Sequence, residues 1–214
     1  MSIDAATRIL AVRHGETAWN VDTRIQGQLD VPLNDTGRWQ AERLARALSE
    51  ENLVAVYSSD LSRAHETALA LARVARVPVV SEPGLRERGF GRFEGHTFAE
   101  IEARWPDESR RWRQRELDFG PGGGETLRAF HARCTTTAAR IAAAHPGRTI
   151  ALVAHGGVMD CLYRAALHIE LTAPRTWQLG NASINRLLYT EAGFGMVGWS
   201  DTLHLEASLD ERTT

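Results

Sequence analysis

The sequence predicts an α/β domain in which a mainly parallel sheet is covered by helices on both faces and interrupted by a small inserted cap. Three observations predict it. Short apolar, β-rich runs alternate with longer segments of helical period. Two of those runs lead straight into His-Gly, at His14-Gly15 and His155-Gly156. A stretch dense in Arg, Glu, Trp and Gly, about 85–124, lacks a strand pattern and breaks the alternation. The 214 residues suffice for one such domain with a buried core, and are few for two. We therefore expect a single domain over 1–206, the cap at about 85–124 and a polar tail at 207–214.

Strands are expected at 8–12, 53–57, 77–80, 149–154 and 185–189, each a short run rich in Val, Ile, Leu or Ala. Between the first two, 36–49 sets Ala41, Leu44, Ala45 and Leu48 on one helical face behind the candidate N-caps Asn34 and Asp35. Segment 60–75 repeats the pattern with Leu61, Ala64, Ala68 and Leu71, and 125–144 with Leu127, Phe130, Cys134, Ala138 and Ile141. Both should face the core. In the cap, 97–105 and 107–114 each suit a short helix, divided at Pro106 and closed by Pro121-Gly122-Gly123-Gly124. Trp105, Trp112 and Phe119 could wall a substrate, but packing of the cap onto the core explains them more simply.

Composition narrows the chemistry. The net charge of −2 carries no basic excess that would track a nucleic-acid backbone, so phosphate affinity must be local. All 25 basic residues are Arg, which removes Schiff-base, P-loop lysine and lysine general-base chemistry and favours bidentate arginine contacts to an oxyanion. Cys134 and Cys161, both in segments of helical character, form neither a disulfide framework nor a metal-ligand spacing. No apolar run reaches the length of a signal core or a membrane span, so a cytoplasmic protein without membrane or nucleic-acid partners is expected. On that expectation the sequons at Asn34 and Asn181 carry no meaning.

Arg13-His14-Gly15-Glu16-Thr17 follows the first strand and sets an imidazole beside a guanidinium in a glycine-permitted turn, an arrangement suited to a nucleophile aimed at phosphate. A loop that merely carries Arg and His is the alternative. Arg63 falls in the first turn of the second helix, at the sheet end where His14 should emerge. The helix dipole disfavours a cation there, which hints at an anion partner, although a solvated surface arginine would look the same. His155 ends a later strand and is followed by Gly156 and Gly157, which admit close backbone approach at the edge where open α/β sheets bind ligands.

These pieces together resemble the histidine phosphatase superfamily, in the branch of cofactor-dependent phosphoglycerate mutases and their phosphatase relatives. The matching segments are Arg13-His14-Gly15-Glu16-Thr17 with Asn20, Arg24-Ile25-Gln26-Gly27, Ser58-Ser59-Asp60-Leu61-Ser62-Arg63-Ala64, Arg86-Glu87-Arg88 and His155-Gly156-Gly157, in the family's order. The resemblance implies a three-layer sandwich with the cap over the carboxyl edge of the sheet. It implies that His14 is the phosphorylated nucleophile, that Arg13, Arg63 and His155 grip the phosphoryl group, and that Glu87 is the general acid and base. Asn20, Gln26, Gly27 and Gly156 match positions around the same pocket. A small phosphorylated substrate follows, with no metal and no cofactor, because three cationic groups and a protein nucleophile supply what a two-metal site would. A homo-oligomer is left open.

Flanking guanidinium charge favours the neutral, attacking form of His14, and a carboxylic acid beside phosphate suits leaving-group protonation by Glu87. Glu16 and Asp60 are rivals for that role that capping and loop hydrogen bonds explain more simply. His65, His96, His131, His145, His168 and His204 match no family site position. The mutases carry Gly-Asn-Ser after the second histidine, and a Tyr and a Lys after the acid. This chain has Gly157 and Val158 after Gly156, Phe90 in place of the Tyr, and no Lys. A phosphomonoesterase is therefore favoured over a mutase, while one or two of Arg110, Arg111, Arg113 and Arg115 in the cap could replace the missing lysine, a solvated helix face being the competing account. An inactive phospho-ligand-binding module is a third reading. Retention of His14, Arg63, Glu87 and His155 speaks against it.

Overall fold

A computed structural model describes residues 5–206. Four strands run parallel, β1 (Thr7–Arg13), β2 (Leu53–Ser58), β3 (Val79–Ser81) and β4 (Thr149–Ala154), while β5 (Ile184–Thr190) and β6 (Gly193–Asp201) add antiparallel at one side. The order β3-β2-β4-β1-β5-β6 puts β4 and β1 at the centre. Every residue of β4 is buried, which is why it reads as an unbroken apolar run rather than an alternating one.

Side chains alternate across β1 and divide the core in two. Leu10 and Val12 pack with Leu44 of α2 (Asp35–Ala47) and Ala64, Ala68 and Leu71 of α3 (Ser62–Ala75). Ile9 and Ala11 pack on the opposite face with Phe130, Cys134 and Ile141 of α6 (Leu127–Ala143) and Met159 and Leu162 of α7 (Gly156–Leu167). The result is the expected three layers. Asn34 caps α2 by accepting from the Gly37 N–H at 2.8 Å, and Thr126 caps α6 by accepting from Ala129 at 3.2 Å.

Residues between β3 and α6 carry α4 (Phe98–Arg104), opened by the Thr97–Glu100 capping box, and α5 (Pro106–Arg113), with Pro106 at its first turn. Ile101 and Phe93 pack there on Ile25, from the loop that follows the short α1 (Ala18–Val21), with Phe90, Trp105 and Trp112 around them. The inserted segment thus rests on the loop leaving β1, beside the carboxyl edge of the sheet.

The sequence did not foretell β6. Gly193, Gly195 and Gly198 break the alternation that would mark it, and its partner β5 supplies the order instead. The third strand lies at 79–81 rather than 77–80, and α3 begins at Ser62 rather than residue 60, because Asp60 is held in an ion pair with Arg86 before the helix starts. The tail at 207–214 lies outside the described residues. No described helix is long and apolar enough to cross a membrane.

Candidate active site

Parallel pairing of β1 with β4 sets Arg13 opposite Ala154, so the next residues, His14 and His155, leave the sheet side by side. The His14 N–H donates to the Ala154 carbonyl at 2.9 Å and fixes that exit. Gly15 follows because the turn touches the start of α2, where a Cβ would overlap the Gly37 carbonyl oxygen. The Gly15 N–H in turn donates to Thr67 Oγ1 on α3 at 3.0 Å.

His14 Nδ1 lies 2.6 Å from the Gly15 carbonyl oxygen. A carbonyl only accepts, so Nδ1 carries the proton and Nε2 keeps its electron pair. The ring is 3% exposed. Burial, then the charges of Arg63 and Arg13, hold the imidazolium well below the ordinary value of 6.5.

Arg63, the second residue of α3, is 1% exposed. Its guanidinium donates to the carbonyls of Leu29 and Gly27, each at 2.8 Å, with Gly27 at φ +54° bending the loop so that its carbonyl can accept. Arg13 donates to the Leu179 carbonyl at 2.7 Å, and burial, opposed by the Glu87 charge, draws it down to about 10. His155 packs edge-on to His14 with ring centroids 5.2 Å apart, and its Nε2 lies 2.8 Å from Ser59 Oγ. Ser59 Oγ also accepts from the Leu61 N–H at 3.3 Å; in the tautomer in which its own proton goes to His155 Nε2, the His155 proton sits on Nδ1. Burial, then Arg63, His14 and Arg13, hold the His155 imidazolium well below 6.5 as well.

Three buried nitrogens around these rings, Arg13 Nε, Arg63 Nε and His155 Nδ1, have no partner among the described residues. Buried donors are rarely left so, and two of these are charged. Their common complement is an anion rich in oxygen. Beside them Glu87 accepts from the Arg88 N–H through Oε1 at 2.8 Å and from the Gly157 N–H through Oε2 at 2.9 Å.

One cleft of about 460 Å³ is lined by Arg13, His14, Asn20, Gln26, Gly27, Arg63, Glu87 and Gly156, which brings together residues far apart in the sequence; His155 is not among its lining residues and packs edge-on to His14. Asn20 Oδ1 is engaged by Thr17 and by Asn181 Nδ2, and Gln26 Oε1 is buried without a partner among the described residues. The rivals stand apart from the lining: Glu16 accepts from Asn34 Nδ2 at 2.8 Å, and the Arg86 fork holds the Asp60 carboxyl below its ordinary value. None of the six other histidines lines the cleft.

Of the four cap arginines only Arg115 reaches the cleft. Arg110, Arg111 and Arg113 pair with Asp107, Glu116 and Glu102 on the outer surface. Trp112 lines the cleft, whereas Trp105 stacks on Phe93 and Phe119 lies under Arg111. Sequence reasoning missed Asn181, whose Nδ2 donates to the carbonyls of His14 and Gly15 at 3.1 and 3.2 Å, and Asp160 and Arg175, which line the cleft. Asn181 and Arg175 sit in irregular backbone with no periodicity to mark them. Among the described residues no cluster of three or more His, Cys, Asp or Glu is placed to hold a metal ion.

Residues 9–202 match the family model of the histidine phosphatase superfamily (branch 1). The chain is 41% identical over 202 residues to phosphoglycerate mutase-like protein 4 of Arabidopsis thaliana, covering 92% of this chain and 86% of that protein. It is 38% identical over 206 residues to a metal-independent phosphoserine phosphatase of Arabidopsis thaliana, covering 94% and 84%. The structure of a mycobacterial glucosyl-3-phosphoglycerate phosphatase superposes with a TM-score of 0.82 at 32% identity, over 92% of this chain and all of that one. With the convergent His, Arg and Glu side chains of its cleft, the chain belongs to the histidine phosphatase superfamily, branch 1.

Proposed function

We propose that the protein is a phosphomonoesterase that hydrolyses small phosphorylated metabolites through a phosphohistidine on His14, with Glu87 as general acid and base. The observation that carries this reading is the His14 tautomer: Nδ1–H is tied to the Gly15 carbonyl, and an uncharged Nε2 stands among unpartnered donors. In the first step the phosphoryl oxygens accept from Arg13, Arg63 and His155, and the Nε2 electron pair attacks phosphorus in line. The P–N bond forms as the P–O bond breaks, and Glu87 gives its proton to the departing oxygen. In the second step Glu87 takes a proton from water, the water oxygen attacks phosphorus, and the P–N pair returns to His14 as phosphate leaves.

The guanidiniums of Arg13 and Arg63 are fixed by backbone carbonyls before substrate arrives, so their charge costs no reorganisation in the transition state. They supply the positive charge a metal would, and the chemistry is proposed to run without one. A relative named as a metal-independent phosphoserine phosphatase supports the same view. Phosphatase rather than mutase is favoured by Gly157, Phe90 and the absence of Lys. The mutase-like name of another relative, and the arginines Arg115 and Arg175 in the cleft, are what favour the second reading.

Rapid quenching after mixing with ³²P-labelled phosphomonoester tests the proposal. Acid-labile, base-stable label on the wild-type protein and none on His14→Ala is the expected result. Label on a serine or cysteine would overturn it.

A further inference from the structure

Asp160 lies on α7 one helical turn beyond Gly157, about 4.5 Å along the axis from the residue whose N–H holds Glu87. It lines the same cleft and is 8% exposed. Its Oδ2 accepts from Arg164 Nε at 2.9 Å and from Arg115 at 3.0 Å. Its Oδ1 is buried and has no partner among the described residues. The carboxylate cannot swing to share the load, because both arginines are pinned elsewhere: Arg115 donates to the Leu171 carbonyl at 2.6 Å, and Arg164 to the carbonyls of Glu170 and Ala173 at 2.5 and 2.9 Å.

Anchoring two arginines needs only Oδ2. A carboxylate oxygen can only accept, and a buried acceptor left unpaired is costly enough that its position calls for a donor. Resting on the phosphomonoesterase reading above, we propose that Asp160 is a substrate-specificity residue, whose Oδ1 accepts a hydrogen bond from a hydroxyl or ammonium group of the ester's leaving group. Glu87 serves the bridging oxygen, and Asp160 stands one turn of α7 further along the cleft. The donor therefore belongs a short span beyond that oxygen, on the carbon next to the esterified one. The substrate class is a phosphomonoester of a small alcohol that bears a vicinal hydroxyl or ammonium group.

Three esters that share phosphate and carboxylate and differ at one position supply the test: L-phosphoserine, 3-phosphoglycerate and 3-phosphonooxypropanoate, which lacks the donor. Their affinities are measured by calorimetry on His14→Ala protein, and their kcat/KM on the wild type beside p-nitrophenyl phosphate. One or both donor-bearing esters should bind at least about tenfold more tightly than the donorless one, since a site built to bond a polar group rejects the analogue without it. The stronger of the two identifies the donor as ammonium or hydroxyl. In Asp160→Asn the amide oxygen can keep both arginines while its NH₂ replaces the free acceptor. The discrimination should then fall to roughly twofold or less, with a loss on the donor-bearing esters larger than that on p-nitrophenyl phosphate. Equal affinities for the three esters would overturn the proposal, and so would an equal loss on all substrates in Asp160→Asn. The affinity comparison needs no change at Asp160, so a poorly folding variant leaves it intact. Absence of any turnover with p-nitrophenyl phosphate would instead count against the phosphomonoesterase reading, and the calorimetry would still decide on Asp160.

Discussion

The Gly157 N–H donates to Glu87 Oε2 at 2.9 Å, and the space a side chain would need at position 157 is filled by Glu87 Oε1 and by the Phe130 ring at 3.0 Å. Glycine at this position and the Glu87 carboxylate are therefore one device: the bare backbone both holds Glu87 and lets it approach. Gly157→Ala should push Glu87 from its place and reduce kcat on alkyl phosphates by roughly 10²-fold, the scale of a lost general acid. p-Nitrophenyl phosphate, whose leaving group needs little protonation, should lose far less, and Glu87→Gln should show the same split. Steady-state rates on both substrates check this. A loss in Gly157→Ala that is equal on the two would mean that Glu87 only positions.

The site was legible in the sequence where a residue sits at a strand end or in a helix's first turn. His14 and His155 could be aligned because each directly follows an apolar run, and Arg63 because a cation at a helix start is out of place. Asn181, Arg175 and Leu179, whose carbonyl holds Arg13, come from irregular backbone between α7 and β5, where neither period nor composition marks a contact made across more than 160 residues. The roles of the cap arginines stayed open for a related reason. Arg111 and Arg113 differ from Arg115 only in which way short helices and turns point them, and that depends on acid partners the sequence could not pair. The fold fared better because burial on both faces of β4 and alternation along β1 are properties of the runs themselves.

The acid limb of kcat/KM should lie below pH 6.5, because burial first, then Arg63 and Arg13, keep His14 in its attacking form there. Arg63→Met removes the largest of the charge contributions. Its acid limb should move to higher pH relative to wild type on the same substrate, so that substrate ionisation cancels. The variant should also lose at least about 10²-fold in kcat, as expected for one charged oxyanion donor. pH profiles of the two proteins with p-nitrophenyl phosphate measure the shift, and superimposable acid limbs would refute the electrostatic account.

Two imidazoles buried in the neutral form also tie stability to pH. In the unfolded chain His14 and His155 titrate near 6.5, while in the folded protein both titrate well below it. As pH falls through 6.5 the unfolded state binds protons that the folded state refuses. Stability is then lost, by up to about 1.4 kcal/mol per pH unit for each histidine, until the folded groups titrate too. Above 6.5 this contribution is flat. Thermal melts of wild type and His155→Gln from pH 8 to 5 should show a shallower acid-side fall in Tm for the variant, and parallel curves would count against it.

A mutase keeps its phosphohistidine against water and grips both ends of a bisphosphate while it turns over in the pocket. This cleft is poorly equipped to do so. Position 157 has no side chain to offer, Phe90 packs its ring on Trp112 at 5.5 Å, and the chain has no lysine. Arg111 and Arg113 are occupied on the surface, and Arg115 is already bound to Asp160 and Leu171. Arg175, exposed in the cleft lining, donates to the Trp177 carbonyl at 3.2 Å. One exposed arginine at the mouth gives a bisphosphate little reason to stay, so the monophosphate should depart and water should take the phosphoryl group. We expect 3-phosphoglycerate, where it reacts, to yield inorganic phosphate rather than 2-phosphoglycerate, with no requirement for added 2,3-bisphosphoglycerate. Phosphorus NMR of the mixture over time, with and without that primer, separates the outcomes. Primer-dependent interconversion of the two monophosphates with little free phosphate would overturn the phosphatase reading, and Arg175→Gln would then be the variant to abolish it.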